Sequence, residues 1–148
     1  MKFSTRSTYG LRALLVLACD YQNGPTLLRD VAQRQQLPTT YLEQLMVPLR
    51  KSGLLSATRG VNGGYQLARS PEEITLADVL TALEGPFELV ECKSIANCNI
   101  APCSCALKQV MDGANTLLTD YFTQITLAEL CRRQHELLGD TPQFECAV

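Results

Sequence analysis

The sequence has no tryptophan, a single histidine and no apolar run near the ~18 residues of a membrane-spanning helix. Charged residues make up only 19% of the 148 positions, but hydrophobic residues make up 46%, which excludes a disordered chain. It also lacks a catalytic triad, a phosphate loop and an acid–base carboxylate pair, which argues against an enzyme. A chain of this length builds a core without disulfides, so its seven cysteines need another explanation.

The start of the chain resembles a short secretion signal, since Lys2 and Arg6 precede an apolar run, residues 13–19. The run is at the short limit for a signal core, and Arg12 interrupts it on its amino side. Helical spacing favours instead a first helix with one buried stripe, formed by Leu11, Leu14, Leu15, Ala18 and Cys19. We therefore expect a cytoplasmic protein, in which thiols stay reduced and clustered cysteines indicate metal.

The net charge of −2 hides a division between the two halves of the chain. Residues 1–70 hold nine basic and three acidic side chains, whereas residues 71–148 hold four basic and twelve acidic ones. This asymmetry predicts a cationic surface in the first half and a different role for the second.

Two short helices joined by a tight turn are predicted after the first helix. Residues 26–35 have a helical pattern in which Leu28, Val31 and Ala32 face inward. Pro38 ends that pattern, and a second helix opens at Thr40 with capping-box spacing to Glu43. This pattern is a helix-turn-helix, in which the start of the second helix reaches base edges in the major groove. The polar residues there are Thr39, Thr40, Tyr41, Glu43 and Gln44.

A hairpin is predicted next, with strands at residues 53–58 and 65–68 and a glycine-rich loop between them. Arg59 in this loop is placed to enter a minor groove, whose potential attracts guanidinium groups. Arg50 and Lys51, at the end of the second helix, suit phosphate contacts. Helix, hairpin and basic charge together predict DNA binding.

Several segments in order resemble one bacterial family, that of the regulators IscR, NsrR and CymR. The matching segments run from residue 1 to about residue 130 and include residues 9–14, 41–45, 49–54, 59–60 and 63–65. The resemblance implies a mainly α fold, a winged helix-turn-helix with a long carboxy-terminal dimerisation helix. It further implies a homodimeric transcription factor, a repressor in function, that binds double-stranded DNA at a palindromic operator. The residues matching Thr40, Tyr41, Glu43 and Gln44 would face the major groove, and Arg59 the minor groove.

Four cysteines lie within one short segment: Cys92, Cys98, Cys103 and Cys105. Their spacing differs from the two-residue separation common in zinc sites, and neighbouring thiolates need a cation or cluster to neutralise them. Family members with an iron–sulfur cluster use three cysteines here, the last at the start of a long helix. The resemblance therefore implies Cys92, Cys98 and Cys105 as ligands.

The fourth ligand departs from the family pattern. IscR has a histidine three residues after its last cysteine, where this chain has Lys108, and some NsrR proteins use an aspartate where this chain has Thr8. The remaining candidates are Cys103, an exogenous ligand or a side chain from the partner, with either a 2Fe-2S or a 4Fe-4S cluster. His135 is expected to be a surface residue of a late helix, and Cys19 and Cys131 are expected to pack as small hydrophobes.

A long amphipathic helix is predicted from Cys105 to residue 125, followed by a final helix whose capping box is Thr126 and Glu129. We expect a DNA-binding domain at residues 1–84, a cluster-binding segment at 85–105 and a dimerisation helix with a tail at 106–148. Changes in the cluster would then alter the spacing of the two recognition helices. The alternative is a cluster-free repressor on the same scaffold, controlled by thiol oxidation or by a partner protein.

Overall fold

The computed structural model describes residues 3–61, 63–89 and 105–138, and it is mainly helical there. The elements are α1 (Thr5–Cys19), a 3-10 turn (Tyr21–Asn23), α2 (Leu28–Gln35), α3 (Thr39–Lys51), β1 (Leu55–Thr58), β2 (Gly64–Leu67), α4 (Leu76–Glu84), α5 (Ala106–Thr123) and α6 (Leu127–Leu138). The order confirms the winged helix-turn-helix with a long helix behind it.

Helix α1 lies at the centre of the fold and packs against α2, α3, β2, α4 and α6. The single buried stripe predicted for it is wrong in part, because Leu11, Leu15 and Cys19 are only half-buried. Neighbours on several sides bury a wider face instead, formed by Gly10, Ala13, Leu14, Val16, Leu17 and Ala18. At Gly10 the approach of α4 is close, since a Cβ there would lie 2.5 Å from Leu83 Cδ1.

The turn between α2 and α3 is built by the backbone. Gln36 adopts the left-handed conformation at φ 52°, its amide donates to Gln33 O at 3.2 Å, and Leu37 N donates to Ala32 O at 2.9 Å. These two bonds satisfy the last carbonyls of α2 in a Schellman arrangement. Because Pro38 lacks an amide donor and is extended, the chain leaves α2 there and enters α3 at the next residue.

The predicted capping box between Thr40 and Glu43 is wrong. Helix α3 begins one residue earlier than expected, at Thr39, with Pro38 as its N-cap and no side-chain hydrogen bond to the cap. Thr40 is therefore inside the first turn, where its hydroxyl lies beyond the capping position. Glu43 consequently has no capping role, and its side chain is exposed.

The wing forms directly after α3. Helix α3 ends at Lys51, Gly53 then adopts φ 73°, and Leu54 N donates to Leu49 O at 3.0 Å. Strands β1 and β2 then pair antiparallel, with Leu55 opposite Leu67 and Thr58 opposite Gly64. Gly64 is required by a close backbone approach, because a Cβ there would lie 2.4 Å from Thr26 O.

The carboxy-terminal helices are attached to the winged half. Helix α4 has a capping box, in which Asp78 N donates to Thr75 Oγ1 and Thr75 N donates to the Asp78 carboxylate. This capping box is not predicted from the sequence. Leu127 N donates to Ile74 O at 2.9 Å, and Leu127 is fully buried in the core of the winged half. Only one half of the capping box predicted for α6 is observed, in which Glu129 N donates to Thr126 Oγ1 at 3.2 Å.

Candidate functional site

The outer face of α3 carries most of the residues predicted to contact bases. Thr39, Thr40, Glu43 and Gln44 are all exposed. The opposite face of the helix is anchored in the core by four buried side chains, Leu42, Leu45, Met46 and Leu49. Spacings of three and four residues put Thr40, Glu43 and Gln44 side by side. The arrangement leaves a row of short polar side chains pointing away from the core.

Tyr41 differs from this row because it is half-buried. Its ring meets the ring of Tyr9 edge-on, with the ring centroids 5.9 Å apart. The guanidinium of Arg12 lies 5.8 Å from the centroid of Tyr9, a cation–π distance. Arg12 also donates from Nε to Gln35 Oε1 at 2.8 Å and from its terminal nitrogen to Gln35 O at 3.1 Å. Arg12 thus joins the end of α2 to the aromatic pair that supports the start of α3.

This support is not predicted from the sequence. The only sequence signal for it is Arg12, at the edge of the apolar first helix. A long cation with five donors bridges two helices in a way that leucine does not. Beside the support, α1 and α3 enclose an open groove of about 650 Å³ between Thr5, Tyr9, Thr40, Tyr41 and Gln44.

The predicted phosphate contacts lie where α3 meets the wing. Arg50 and Lys51 are exposed in the last turn of α3, and together with Ser56 and Ala57 of β1 they line a second groove of about 480 Å³. Arg59 is exposed just after β1, in the loop between the strands. Helix and hairpin are in contact, so the basic residues and the polar row belong to one body.

Three of the cations at this face form no ion pair with any other described residue. Among residues 3–61, 63–89 and 105–138, ion pairs involve Arg29, Arg34, Lys108, Arg132 and Arg133, but not Arg50, Lys51 or Arg59. Unpaired cations beside an exposed polar helix face attract a polyanion and release its counterions on binding. The site therefore has the charge and the shape to hold a nucleic-acid duplex.

Of the four candidate metal ligands, only Cys105 is described, since Cys92, Cys98 and Cys103 lie outside the described residues. Cys105 is the half-buried N-cap of α5, and its carbonyl accepts from Gln109 N at 3.1 Å. Cysteine ligates metal through its sulfur, as the thiolate. Lys108, at the position of the histidine in IscR, is paired with Asp112 through a 2.5 Å contact. Within the described part of the chain, no three His, Cys, Asp or Glu side chains are grouped to hold a metal ion.

The segment before the cysteines is attached to α1 and α5. The Glu84 carboxylate accepts hydrogen bonds from the hydroxyls of Ser4 and Ser7 on α1, and these bonds lower its pKa. The ring of Phe87 packs against those of Phe3 and Phe122, with centroids 6.4 and 6.0 Å apart. Leu89 N donates to Asn115 Oδ1 at 3.0 Å.

Helix α5 presents an apolar face that the other described residues leave uncovered. The structure describes the whole helix, Ala106–Thr123, and none of its residues is buried. Val110 is 67% exposed and Leu117 is 74% exposed, and Leu107 and Tyr121 continue the same row. The long amphipathic helix predicted from Cys105 onward is therefore confirmed, and its apolar row is exposed in the described part of the chain.

The remaining predicted residues lie on α1 and α6. Cys131 is buried in the core, as expected, and Cys19 is half-buried against it. His135 is exposed, and its Nδ1 lies 2.8 Å from Cys131 O one turn earlier in α6, which confirms a surface helix position. No helix in the described residues is long and apolar enough to cross a membrane.

Known proteins resemble the chain in both sequence and fold. The family model Rrf2, described as an iron-dependent transcriptional regulator, matches residues 3–133. The protein rrf2 of Nitratidesulfovibrio vulgaris is 39% identical over 132 residues, which is 89% of this chain and 88% of that protein.

Two solved structures have the same fold. IscR of T. potens superposes with a TM-score of 0.77 at 33% identity, covering 95% of this chain and 93% of the other. CymR, the global cysteine regulator of B. subtilis, superposes with a TM-score of 0.72 at 35% identity, covering 90% and 98%. With the helix-turn-helix and wing described above, these matches lead to one conclusion: the chain belongs to the Rrf2 family of DNA-binding transcriptional regulators, and it is not an enzyme.

Proposed function

We propose that the chain is a homodimeric repressor that binds a palindromic operator and responds to an iron–sulfur cluster held by its cysteine segment. The observation that carries the DNA-binding part is the outer face of α3, where exposed polar side chains adjoin Arg50, Lys51 and Arg59, three cations with no ion pair among the described residues. Residues 1–84 would bind DNA, residues 85–105 the cluster, and residues 106–148 the second protomer.

In this proposal each part of the face has its own task. Thr39, Thr40, Glu43 and Gln44 read base edges in the major groove, where short polar side chains exchange donors and acceptors with the bases. Glu43 has no capping role in α3, so its carboxylate suits a cytosine amino group. Tyr41, whose ring packs against that of Tyr9, offers its hydroxyl group to the DNA and fixes the orientation in which α3 approaches the groove. Arg50 and Lys51 take phosphates, and Arg59 enters the minor groove.

The second protomer is proposed to cover the row of apolar side chains on α5. Four large apolar residues of α5 are each more than half exposed: Leu107, Val110, Leu117 and Tyr121. They are spaced by three, seven and four positions. A stripe with this spacing pairs with a copy of itself across a two-fold axis. Two recognition helices then meet a DNA duplex with a separation set by the α5 pair, which is why a palindromic operator is expected.

Cys92, Cys98 and Cys105 are the proposed cluster ligands, with Cys103 as the candidate fourth. Cys105 fits this role because it lies half-buried at the start of α5, where the family resemblance puts the last ligand, whereas Lys108 is paired with Asp112. Thiolate sulfur is the ligand that iron–sulfur clusters require, and such a cluster would supply sensitivity to oxidants, nitric oxide or iron supply.

A continuous set of contacts connects the cysteine segment to the DNA face. The segment begins after Glu84, which is hydrogen-bonded to Ser4 and Ser7 at the start of α1. One or two turns further along the same helix lie Tyr9 and Arg12, which support Tyr41 and Gln35. A shift of residues 85–89 would therefore reach the start of α3 through α1, as a rigid element.

Anaerobic purification tests the cluster. We expect a coloured protein with visible absorption, bound iron and acid-labile sulfide, and an affinity for the DNA upstream of its own gene that changes at least tenfold when iron is removed. Cys105→Ser should lose the colour, while Cys146→Ser, outside the segment, should keep it. A colourless, iron-free protein with full operator affinity would overturn the cluster and leave DNA binding intact.

The second candidate is a cluster-free regulator, controlled by thiol oxidation or by a partner protein. Cys105 supports it too, because its thiol is only half-buried and is therefore partly accessible to an oxidant. CymR of B. subtilis, which superposes on this chain, is a regulator of cysteine. Iron content separates the two candidates: this one requires operator binding by iron-free protein that a thiol oxidant or a partner then alters.

A further inference from the structure

Two thiols that the proposed function does not use meet where α1 packs against α6. Cys131 Sγ lies 3.7 Å from the carbonyl oxygen of Leu15, and Cys19 follows Leu15 by one helical turn on α1. Both are free thiols, and Cys19 packs against the core cluster that contains Cys131. Both side chains are held on well-packed helices, so their contact is a built-in feature of the core.

The environment makes the two sulfurs unequal. The neighbouring Cys19 thiol lowers the pKa of Cys131. The Cys131 thiol, together with burial, raises the pKa of Cys19. Cys19 is also the more exposed residue, which gives a small oxidant a way in.

We propose that Cys19 and Cys131 form a dithiol site, separate from the cysteine segment, which hydrogen peroxide or a similar small peroxide converts to a disulfide linking α1 to α6. One of the two sulfurs, as the thiolate, attacks one peroxide oxygen, the O–O bond breaks, and hydroxide leaves while that cysteine becomes a sulfenic acid. The other sulfur then bonds to it, and its proton leaves with the displaced hydroxyl as water. In total two thiols lose two electrons and two protons, and one peroxide becomes two waters.

The link would change the molecule beyond the two sulfurs. It closes the chain between Cys19 and Cys131, which contains α2, α3, the wing, α4 and α5. A closed loop of this length restricts the unfolded chain strongly and stabilises the folded one. It also fixes α6 to the helix whose other end carries Tyr9 and Arg12 beside α3.

Peptide mass spectrometry of the full chain tests the proposal. Trypsin places Cys19 in the peptide 13–29 and Cys131 in the peptide 109–132, each with no other cysteine, whereas Cys98, Cys103 and Cys105 share the peptide 94–108. After mild hydrogen peroxide treatment and alkylation, we expect peptide 13–29 to be joined to peptide 109–132. Alkylation of both thiols should fall at least fivefold together and return with a dithiol reductant.

Other outcomes overturn the proposal: both peptides still alkylated as free thiols, either cysteine oxidised to sulfonic acid without a link, or either one joined to peptide 94–108 instead. Thermal unfolding gives an independent reading. Oxidation should raise Tm by roughly 10 °C in the wild type and in Cys146→Ser, but not in Cys19→Ser or Cys19→Ala. An equal rise in the Cys19 variants would contradict the link, and the wild-type peptides decide the matter even where a variant fails to fold.

Discussion

Helices α3 and α5 have the same kind of amphipathic sequence, but the apolar face of α3 is buried and that of α5 is exposed. In α3, Leu42 and Leu49 are fully buried by α1, α2 and α4. In α5, Val110 and Leu117 are mostly exposed. The periodicity of a helix therefore predicts that one face is to be covered, but it does not say by what. The apolar face of α3 is covered by other helices of the same chain. The apolar face of α5 is proposed to be covered by a second copy of the chain.

The sharpest test of this contrast places charge on the uncovered face. The double variant Val110→Asp, Leu117→Asp would put four carboxylates into a two-fold interface, where desolvation of each is costly. We expect the dimer dissociation constant to rise at least 1,000-fold, about 4 kcal/mol or more, measured by sedimentation velocity. The helices should remain folded by circular dichroism, because neither residue is buried within the chain.

The matched control for that variant is Leu137→Asp on α6. Leu137 is 82% exposed, as open as the α5 residues, yet it lies on a different helix. We expect this protein to stay dimeric. A double variant that remains dimeric at the concentration of the wild type would show that the apolar row on α5 is not the interface.

Truncation of leucine to alanine compares the two faces within one protomer. Leu42→Ala removes a fully buried side chain and should lower the free energy of unfolding by about 3 kcal/mol, through lost burial and a cavity. Leu117→Ala, at 74% exposure, should change it by less than about 0.5 kcal/mol. Urea unfolding well below the dimer dissociation constant measures both. Equal losses would mean that α5 packs within its own protomer.

The helix-turn-helix was predictable because its signals are local. Pro38, the polar start of α3 and the glycines of the wing each restrict a few neighbouring residues, and the elements formed where those restrictions place them. The fold of residues 26–68 needed little else. The amphipathic pattern of α5 was equally local, and it too was read correctly.

The errors and omissions involve contacts between residues far apart in sequence. The buried face of α1 depends on the five elements that surround it, so a single stripe was too narrow. Arg12 with Gln35, Cys19 with Cys131 and Glu84 with Ser4 join residues from different helices. The capping box at Thr40 failed for a smaller reason, because the backbone entered the helix one residue earlier, directly after Pro38.

The cationic face should respond to single changes more weakly than the core does. Arg59→Ala removes an exposed guanidinium that is unpaired within the described residues, and we expect operator affinity to fall 10- to 100-fold, about 1–3 kcal/mol. The slope of log affinity against log salt should also become shallower, by about one counterion for each wing. Fluorescence anisotropy over a series of salt concentrations measures both.

Arg133→Ala is the control for the loss of one positive charge. Arg133 lies on α6 and is paired with Glu129 at 2.7 Å, away from α3 and the wing. Its removal should leave both affinity and salt slope near the wild type. If the two variants behave alike, the wing does not contact DNA.

The smallest effect is expected at Glu84, where the winged half passes into the cysteine segment. Hydrogen bonds from Ser4 and Ser7 hold the pKa of this carboxyl below its usual 4.5, so the ionised form stabilises the fold. Because the folded pKa is the lower one, that stabilisation is complete above pH 4.5 and disappears as the pH falls through the folded pKa. Glu84→Gln should therefore lower Tm at pH 7 by at most about 2 °C, since the group is largely exposed, and the difference from the wild type should shrink below pH 4.5.

Glu43→Gln, which removes an exposed carboxylate from α3, controls for the lost charge. A difference that stays constant down to pH 3 would mean that the serine contacts, and with them the attachment of the cysteine segment to α1, do not depend on the ionised carboxylate.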